Sequence, residues 1–361
     1  MKRFAILFLL LLALLTACAA DPEVPPARNG LISEGGTLKY YKDDSPCEFP
    51  SGVQMIEGKP YYVEADGVSI SALTDCLAEK DGQLLYFTEN SSLMQFQAGF
   101  VTVDGGLYYA AEDGCALLTA REEIVPLGEI LCAFDEDCRV MTFTAGVQEI
   151  FGSLYYVPDD GAAIACPPEG PLLTAEALYY VNADGSLATD FDFGYLHFGP
   201  DGRYTSGIES LDQQVEELLT LAQVSGTDSL EDFRLCYEYL RDHCTYLGMA
   251  HYYPGTDDWA ADSAAFLFEY GKGNCYCWAA AQMYCARRLG LQAYVVAGWE
   301  NNYTNDHAWM MAEIDGEEYL FDAELEYARS SIYGIDSIDM FRAASEDGVY
   351  NGLYYFFPEE P

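Results

Sequence analysis

Apolar and polar positions recur with a fixed period through the first two hundred residues. Four segments start with Phe, carry a glycine three residues later and continue into a short run of alternating polarity. The four glycines are spaced 47, 47 and 48 residues apart. Such self-similarity is the sequence signature of a repeat architecture. The segments are FPSGVQMIEGKPYY from Phe49, FQAGFVTVDGGLYY from Phe96, FTAGVQEIFGSLYY from Phe143 and FDFGYLHFGPDGRY from Phe191.

A weaker copy of the pattern lies between these segments, so aromatic pairs recur every 20 to 25 residues. Each pair is followed within a few residues by Asp-Gly, Asp-Asp or Glu-Asn, which are turn-forming dipeptides. The pattern predicts short β-hairpins, which bury their aromatic side chains only by stacking on neighbours. We therefore predict an all-β hairpin-repeat solenoid over residues 31–207, with about four double units of 47 residues. A β-propeller is the alternative, because its blades have a similar length.

The pattern G-x-x-x-x-x-G-x-x-Y-Y-x-x-x-D-G resembles the repeats of cell-wall-binding proteins of the choline- and glucan-binding type. This resemblance implies a hairpin solenoid that holds surface polymers in slots between aromatic side chains. Choline cages depend on Trp for cation–π contact, and all four tryptophans lie beyond residue 258, which speaks against choline as the ligand. The repeat aromatics either contact a wall glycan or only pack one repeat on the next. Where the family usually has Trp after the first glycine, this chain has Val53, Phe100, Val147 and Tyr195.

A different pattern begins at residue 208, which we take as a domain boundary. Apolar positions at helical spacing predict one helix with Ser210 as its N-cap and a second helix from Ser229. CYCWAAAQMYCARRLG predicts a third helix from Cys275. LQAYVVAGW, DHAWMMAEID and EEYLFDAELEYA predict three strands, with an Asp-Gly turn between the last two. Residues 208–361 are therefore predicted to form an α+β domain.

Two cysteines, Cys275 and Cys277, stand at the start of the third predicted helix, after the glycine-rich turn GKGN. A zinc site would need a second pair of ligands at matching spacing, and a redox pair takes the C-x-x-C spacing. A disulfide between the two would close a small, strained ring. A catalytic thiol fits better, because the N–H groups and dipole of a helix N-terminus stabilise a thiolate. Cys275 is the better placed cysteine, and we predict no metal and no cofactor.

A nucleophilic thiol needs a base, and the base needs an orienting group. His307 is the one histidine of four that opens a predicted strand, shortly after the buried strand LQAYVVAGW. Asp322 follows Leu320 and Phe321 on the next predicted strand, and an acid in such an apolar setting requires a partner. We expect His307 to be that partner, across the predicted hairpin.

Five segments of the C-terminal part resemble, in order, the transglutaminase-like superfamily of papain-like thiol enzymes. Over roughly residues 210–330, the resemblance implies a papain-like fold with Cys275 as nucleophile, His307 as base and Asp322 as orienting acid. Cys277 has no counterpart in the family, and the resemblance does not assign an oxyanion donor. This chain also has Ala323-Glu324 at the place where the family often has Pro-Thr. The segments are YLRDHCTY at 239–246, GNCYCWA at 273–279, RRLGLQAYVVAG at 287–298, HAW at 307–309 and LFD at 320–322.

The reaction that this resemblance implies is acyl transfer through a thioester, on a protein or peptidoglycan-peptide amide. Cys275 attacks the carbonyl and His307 protonates the leaving amine, after which water or another amine releases the acyl group. Hydrolysis is the default expectation, because water at about 55 M competes with any amine unless the site excludes it. The competing class of function is a non-catalytic adhesion or scaffold lipoprotein that has kept the fold.

The N-terminus has the layout of an export signal. Lys2 and Arg3 precede a Leu-rich run that is short for a membrane span. The run ends in Leu-Thr-Ala-Cys, which resembles the bacterial lipoprotein box, in which the cysteine is diacylated. We predict a signal peptide over residues 1–17, a lipid anchor on Cys18 and a proline-rich tether over 18–30. The expected location is the extracellular face of a bacterial membrane; an ordinary secretory peptide is the alternative.

The chain carries 59 acidic and 17 basic side chains, which gives a formal charge of −42. Such a surface repels phosphate backbones and anionic headgroups, so nucleic acid is disfavoured as a partner and the membrane is expected to be contacted through the lipid alone. Half of the residues are apolar, which argues against a disordered chain. Setting Cys18 aside leaves eleven of the twelve cysteines, an odd number, so at least one thiol is expected to be unpaired.

Overall fold

The structure of the chain is a computed structural model that describes residues 27–112, 114–248, 259–300, 305–335, 338–346 and 348–357. The chain divides into two compact units, residues 1–123 with 133–141 and residues 124–132 with 142–361. The predicted signal peptide, Cys18 and most of the predicted tether lie outside the described residues. Within the described ranges, no helix is both long and apolar enough to cross a membrane. None of the cysteines in the described ranges forms a disulfide.

Short antiparallel hairpins fill the first unit and the part of the second unit that precedes residue 208. A hairpin begins about every 24 residues, so each predicted double unit consists of two hairpins. The predicted β character of residues 31–207 is confirmed. Strands β1 to β19 are, in chain order, Gly30–Glu34, Thr37–Lys42, Ser45–Pro46, Gly52–Ile56, Lys59–Val63, Cys76–Lys80, Gln83–Phe87, Gly99–Val103, Gly106–Ala110, Ala116–Leu117, Glu123–Leu127, Ile130–Phe134, Gly146–Ile150, Ser153–Val157, Ile164–Ala165, Gly170–Leu173, Leu178–Val181, Phe191–Phe193 and Leu196–Phe198.

The tight turn of these hairpins lies before the aromatic pair, not after it as the sequence pattern suggested. In the hairpin of β6 and β7, Asp81 and Gly82 form the turn, with φ of 50° and 75°. A two-residue turn with positive φ at both positions matches the right-handed twist of the flanking strands, and this is where glycine is needed. The acid-rich turn after the pair closes a single bridge, such as that between Phe87 and Leu93.

The aromatic pairs of the repeats are mostly core residues. Four aromatic side chains of the described repeats are exposed: Phe100 (45%) and Tyr195 (50%) follow the first glycine of a unit, and Phe151 (51%) and Phe193 (37%) each precede a glycine. Packing between hairpin strands therefore accounts for most of the repeat tyrosines, which was one of the two alternatives that the sequence left open. The buried tyrosines are Tyr41, Tyr61, Tyr62, Tyr108, Tyr155, Tyr179 and Tyr180.

The C-terminal domain consists of helices and a barrel, so the predicted α+β class is confirmed. The helices are α1 (Glu209–Leu221), α2 (Ser229–His243), α3 (Trp259–Tyr270), α4 (Cys275–Arg288) and α5 (Ala323–Tyr327), with a π-helical turn at Ala328–Ile332. The strands are β20 (Thr245–Tyr246), β21 (Lys272–Gly273), β22 (Gln292–Glu300), β23 (Asn305–Ile314), β24 (Glu317–Phe321), β25 (Ala343–Glu346), β26 (Val349–Tyr350) and β27 (Leu353–Phe356). Strands β20 and β21 form a parallel pair, and β22 to β27 close the barrel in chain order.

Two predicted element boundaries are wrong. Helix α1 begins one residue before Ser210, and its N-cap is Ile208, which makes no side-chain cap. The third predicted strand ends at Phe321, because the Asp322 carboxylate accepts the N–H of Leu325 and thereby starts helix α5. Helix α2, in contrast, begins at Ser229 as predicted.

Helix α4 is the central element of the domain core. Every one of its residues except Arg287 is buried, and the Trp278 side chain is fully enclosed. Phe233 and Tyr237 of α2 belong to the same apolar cluster, as does Phe321 of β24. Burial of a large apolar side chain stabilises a fold by about 1.5–3 kcal/mol. The two ends of α4 and its neighbouring strands are therefore held in fixed relative positions.

The last repeat hairpins pack on the C-terminal domain within the second unit. Gln292, the first residue of β22, accepts a hydrogen bond from the N–H of Tyr195 (2.8 Å) and donates one to the carbonyl of Phe193 (3.2 Å). Tyr195 and Tyr294 have ring centroids 5.4 Å apart. Gly226 lies so close to the repeat backbone that an added Cβ would be 2.5 Å from the Cα of Ala175. The contacts of the domain thus extend beyond the predicted boundary at residue 208.

A chain that starts at residue 208 is therefore expected to be less stable than one that starts at Ile124, the first residue of the second unit. It would lose the partners of Gln292 and the side chain of Leu173, which packs against the domain core. We expect a loss of about 3 kcal/mol, which lowers the melting temperature by about 10 °C in a protein of this size. Thermal unfolding of the two chains, followed by circular dichroism, measures the difference. Equal melting temperatures would show that the boundary lies at 208.

Candidate active site

Cys275 is the first residue of α4, and the residues before it fix its position. Asn274 is the N-cap in an extended conformation, is completely buried, and accepts the N–H of Cys277 (3.4 Å) through its side chain. At Gly273 an added Cβ would be 2.5 Å from the Cβ of Cys277, so a side chain cannot enter there. In the parallel pair of β20 and β21, Gly273 lies opposite Tyr246. The sequence Gly-Asn-Cys therefore presents the thiol beside the end of β20.

His307 and Asp322 come together at the end of the barrel strands. His307 lies on β23 opposite Gly298 of β22, and Asp322 directly follows β24. The Nε2 atom of His307 is 2.6 Å from Oδ2 of Asp322. The other oxygen of Asp322 accepts the N–H of Leu325 (3.0 Å), and Oδ2 also accepts the hydroxyl of Tyr355 (2.8 Å). Asp322 is 1% exposed, so its charge is compensated entirely by these donors.

The structure brings the three predicted residues into one chain of contacts. The Cys275 side chain is hydrogen-bonded to that of His307. Because Nε2 of His307 is occupied by Asp322, Nδ1 is the nitrogen that remains for the thiol. Burial alone would lower the pKa of His307, but the charge of Asp322 and the hydrogen bonds that the imidazole makes with Asp322 and Cys275 together raise it well above its usual value. This environment favours the imidazolium form of His307.

Cys277, the second cysteine of the motif, is a core residue. Its side chain is fully buried and packs against Gly273, and burial raises the pKa of its thiol to about 11. Residues two apart on a helix point in different directions, so Cys275, although buried, lines the cavity beside His307 while the thiol of Cys277 faces the core. The two cysteines therefore have different chemistry, and only Cys275 lines a cavity.

A cavity of about 400 Å³ opens beside Cys275 and His307. Its wall combines hydroxyls, carboxylates and apolar groups, and the described residues of this wall include neither Lys nor Arg. The volume is in the range of small-molecule binding sites, so a segment of a peptide or a side-chain amide can enter. The other lining residues are Tyr246, Glu300, Asp306, Glu324, Leu325, Ala328, Ile332 and Tyr333.

Three ligand-type side chains, His307, Asp322 and Glu324, have atoms within 4.8 Å of one another. Metal–ligand bonds of about 2.0–2.2 Å would hold the histidine nitrogen and the carboxylate oxygen about 3 Å or more apart. The observed 2.6 Å between His307 and Asp322 is the length of a charge-assisted hydrogen bond instead. The pair therefore has the geometry of an orienting contact rather than of two ligands to one ion.

Sequence reasoning missed four residues of this site: Asn274, Tyr246, Tyr355 and Glu324. Asn before a predicted helix is an N-cap signal, so Asn274 could have been found. Tyr246 lies in one of the segments that resemble the transglutaminase-like superfamily, but nothing in its pattern indicates that it faces the thiol. Tyr355 comes 33 residues after Asp322, on a strand that the sequence did not predict. The sequence showed Glu324 as a departure from the family pattern, but it did not indicate that this residue lies beside His307.

A thiol at a helix start, an imidazole on a strand and a buried carboxylate form the kind of arrangement that thiol acyl-transfer enzymes use. Residues 219–321 match the family model of the transglutaminase-like superfamily, so the chain contains a transglutaminase-like domain. The match begins within α1 and ends with β24, one residue before Asp322.

Solved structures resemble parts of the chain at low similarity. The crystal structure of choline binding protein F from Streptococcus pneumoniae, crystal form II, is 20% identical over 50% of this chain and 58% of its own length, with a TM-score of 0.34. The same protein in the presence of a peptidoglycan analogue, a tetrasaccharide-pentapeptide, gives the same values. The crystal structure of a TGase is 20% identical over 36% of this chain and 34% of its own, with a TM-score of 0.28. TM-scores below 0.5 do not establish a shared fold, and no curated protein matches the chain.

Proposed function

We propose that the C-terminal domain is a thiol enzyme that transfers acyl groups from amides, with Cys275 as nucleophile, His307 as acid and base, and Asp322 as the orienting acid. The observation that carries this proposal is the buried chain of contacts from Cys275 through His307 to Asp322 at the wall of a cavity. The transglutaminase-like domain at residues 219–321 supports the same reaction class.

The reaction runs in two steps. The Cys275 sulfur attacks the amide carbonyl, and the imidazolium of His307 gives its proton to the nitrogen as the C–N bond breaks. The amine leaves, and a thioester remains on Cys275. Water or a second amine then attacks the thioester, His307 takes the proton of this nucleophile, and the thiolate is released. Asp322 holds the imidazole in place and stabilises its positive charge throughout.

The hydroxyl of Tyr246 is suited to stabilise the oxyanion of the tetrahedral intermediates. Tyr246 lines the cavity with Cys275, and burial together with the charges of Glu324 and Cys275 raises the pKa of its phenol to about 12. The hydroxyl therefore stays protonated at neutral pH and can donate a hydrogen bond. Preorganised donors of this kind contribute to catalysis because they need no reorganisation in the transition state.

Tyr246→Phe is expected to lower kcat by about 10²-fold while KM changes little, because the lost hydrogen bond is made mainly in the transition state. Steady-state kinetics on a small amide measure both parameters. Tyr333→Phe is the matched control, since Tyr333 lines the same cavity but is largely exposed. An equal loss in both variants would assign the oxyanion donor elsewhere.

Product analysis tests the proposed function as a whole. The full chain is incubated with peptides that contain backbone or side-chain amides, including peptidoglycan stem peptides, with and without a primary amine. Mass spectrometry separates hydrolysis, which replaces the amine by water, from transamidation, which incorporates the added amine. A thioester adduct on Cys275 is expected in either case. Turnover of no amide, together with an unreactive Cys275, would instead favour a non-catalytic adhesion or scaffold protein.

We further propose that the enzyme acts at a bacterial cell surface, anchored through a lipid on Cys18, with the repeats as a positioning module. The repeats contain none of the three triad residues, and the sheets of their described part have two or three strands each, which supports a hairpin solenoid over a propeller with four-stranded blades. Exposed Phe100 and Phe151 are available for contact with a wall glycan. Metabolic labelling with a fatty acid, compared between the full chain and Cys18→Ala, tests the anchor.

A further inference from the structure

Glu324 is a buried carboxylate for which the triad chemistry has no use. It lies two residues after Asp322 in helix α5, is 6% exposed and lines the cavity beside Cys275. Its Oε2 atom is 3.9 Å from Nδ1 of His307, beyond hydrogen-bond distance. Among the described residues, no donor is hydrogen-bonded to this carboxylate. A buried carboxylate without donors costs free energy, so a group that supplies donors is expected to bind there.

Apart from His307, the charged side chains that line the cavity around Glu324 in the described part of the chain are carboxylates. Glu300 and Asp306 are the other two carboxylates among the described lining residues, which include neither Lys nor Arg. Burial, opposed by the charge of His307 and assisted by the charges of Asp322 and Glu300, raises the pKa of Glu324 to about 7. Arg329 acts on Glu300 from outside the lining and lowers its pKa, against the effect of burial. A bound cation would relieve the repulsion among these carboxylates and favour their ionised form.

The position of Glu324 identifies which half of a substrate it meets. Nε2 of His307 is held by Asp322, so Nδ1 is the nitrogen that protonates a leaving amine. By microscopic reversibility, the same nitrogen takes the proton of an attacking amine. The amine half of the substrate therefore passes close to Nδ1 in both steps, and Glu324 lies on that side.

We propose that Glu324, with Glu300 and Asp306, forms a subsite that binds a primary ammonium group carried on the amine half of the substrate. This inference rests on the proposed acyl-transfer function and applies equally to hydrolysis and to transamidation. The ammonium supplies up to three N–H donors to a carboxylate that has none. Glu324 is then a specificity-determining residue, and an amine half with a second, charged amino group is preferred over a neutral one.

The rate at which Cys275 reacts with charged thiol reagents tests the subsite without an amide substrate. 2-Aminoethyl methanethiosulfonate carries a primary ammonium, and 2-sulfonatoethyl methanethiosulfonate carries an anion on a similar chain. In each case the thiolate attacks the reagent sulfur, a mixed disulfide forms and methanesulfinate leaves. Peptide mass spectrometry of the full chain follows the modification of Cys275 separately from the other cysteines. We expect the cationic reagent to react with Cys275 at least tenfold faster than the anionic one.

Glu324→Gln is expected to reduce this cation-to-anion ratio by about fivefold or more, since it removes the closest charge and keeps the side-chain shape. Glu300→Gln provides a second variant, with a smaller expected reduction. Glu313→Gln is the matched control, because Glu313 is an exposed residue of β23, the strand of His307, and does not line the cavity. Its ratio should change by less than twofold, because charges exposed to solvent are screened.

The outcomes separate this inference from the proposed function. If Cys275 reacts readily but the ratio is the same in the wild-type chain and in the Glu324 and Glu300 variants, the ammonium subsite is wrong and the acyl-transfer proposal stands. If Glu313→Gln lowers the ratio as much as Glu324→Gln, the preference comes from the overall negative charge, and the subsite is again wrong. A Cys275 that is no more reactive than the buried Cys277 would contradict both proposals.

Discussion

Cys275→Ala is expected to abolish amide turnover and thioester formation, with a decrease in kcat of about 10⁵-fold or more, because the remaining triad residues have no nucleophile to act on. The structure gives Cys275 what a catalytic thiol requires: the first position of a helix, a hydrogen bond with His307 and access to a cavity. Turnover of a small amide and adduct formation with an iodoacetamide probe measure the two losses independently. Residual activity in this variant above the uncatalysed rate would have to come from another site.

Cys277→Ala is the matched control, with the same substitution two residues along the same helix. Burial raises the pKa of the Cys277 thiol to about 11, so it is almost entirely protonated and unreactive at neutral pH. The variant is expected to retain most of the turnover and of the probe labelling. Some loss of stability is expected as well, because the side chain fills space against Gly273 and Leu267 in the core. An inactive Cys277 variant with an active Cys275 variant would reverse the assignment.

Much of the site was predictable because its residues carry strong local signals. The glycine-rich turn before Cys275 indicates a helix start, and a single histidine opens a strand near a buried run, so few combinations remained. Asp322 could be predicted as a site residue because an unpaired carboxylate among apolar residues costs free energy and therefore requires a partner. The structure places all three side chains in contact, from Cys275 through His307 to Asp322.

The parts that sequence reasoning missed depend on contacts between segments far apart in the chain. Tyr355 reaches Asp322 from β27, and Gln292 of the barrel binds the repeat hairpin at Tyr195 across 97 residues. Periodicity describes one element at a time, so it cannot report such pairs. The prediction that a strand continues through Asp322 was wrong for a related reason. The apolar pattern continues past Phe321, but the capping hydrogen bond from Leu325 to Asp322 starts a helix there.

The repeats also have features that depend on contacts between strands and that the sequence pattern did not predict. The period and the β-hairpin content were visible from glycine and tyrosine spacing, whereas the position of the tight turn was not. An Asp-Gly dipeptide before an aromatic pair and an acid-rich segment after it both have residues that favour turns. Only the pairing of the strands shows which of the two is the tight hairpin turn. The same applies to the exposure of the aromatics, since a tyrosine pair suits a sugar-binding face and a packed hairpin core equally well.

Asp322→Asn is expected to lower kcat by about 10²–10⁴-fold, the second largest effect predicted for this protein. The carboxylate accepts hydrogen bonds from His307 (2.6 Å) and from Tyr355 (2.8 Å). An amide has only one accepting oxygen, so when this oxygen caps Leu325 the NH₂ group faces His307 and Tyr355. The substitution also removes the charge that raises the pKa of His307. Asn is as good an N-cap as Asp, so helix α5 and the stability of the domain should be little affected. The loss is therefore expected in the chemistry and not in folding.

The pH dependence distinguishes this orienting role from a merely structural one. The leaving amine takes its proton from the imidazolium of His307, so kcat/KM for a small amide should fall at alkaline pH as the imidazolium loses its proton. With Asp322 present, the pKa of His307 lies well above its usual value. In Asp322→Asn this pKa decreases, and the alkaline limb of the profile should shift to lower pH by at least about one unit, which corresponds to 1.36 kcal/mol. Tyr355→Phe, which removes a hydrogen bond to Asp322 but keeps the carboxylate charge, should shift it much less. A profile that is unchanged in Asp322→Asn would show that Asp322 supports the fold without tuning His307.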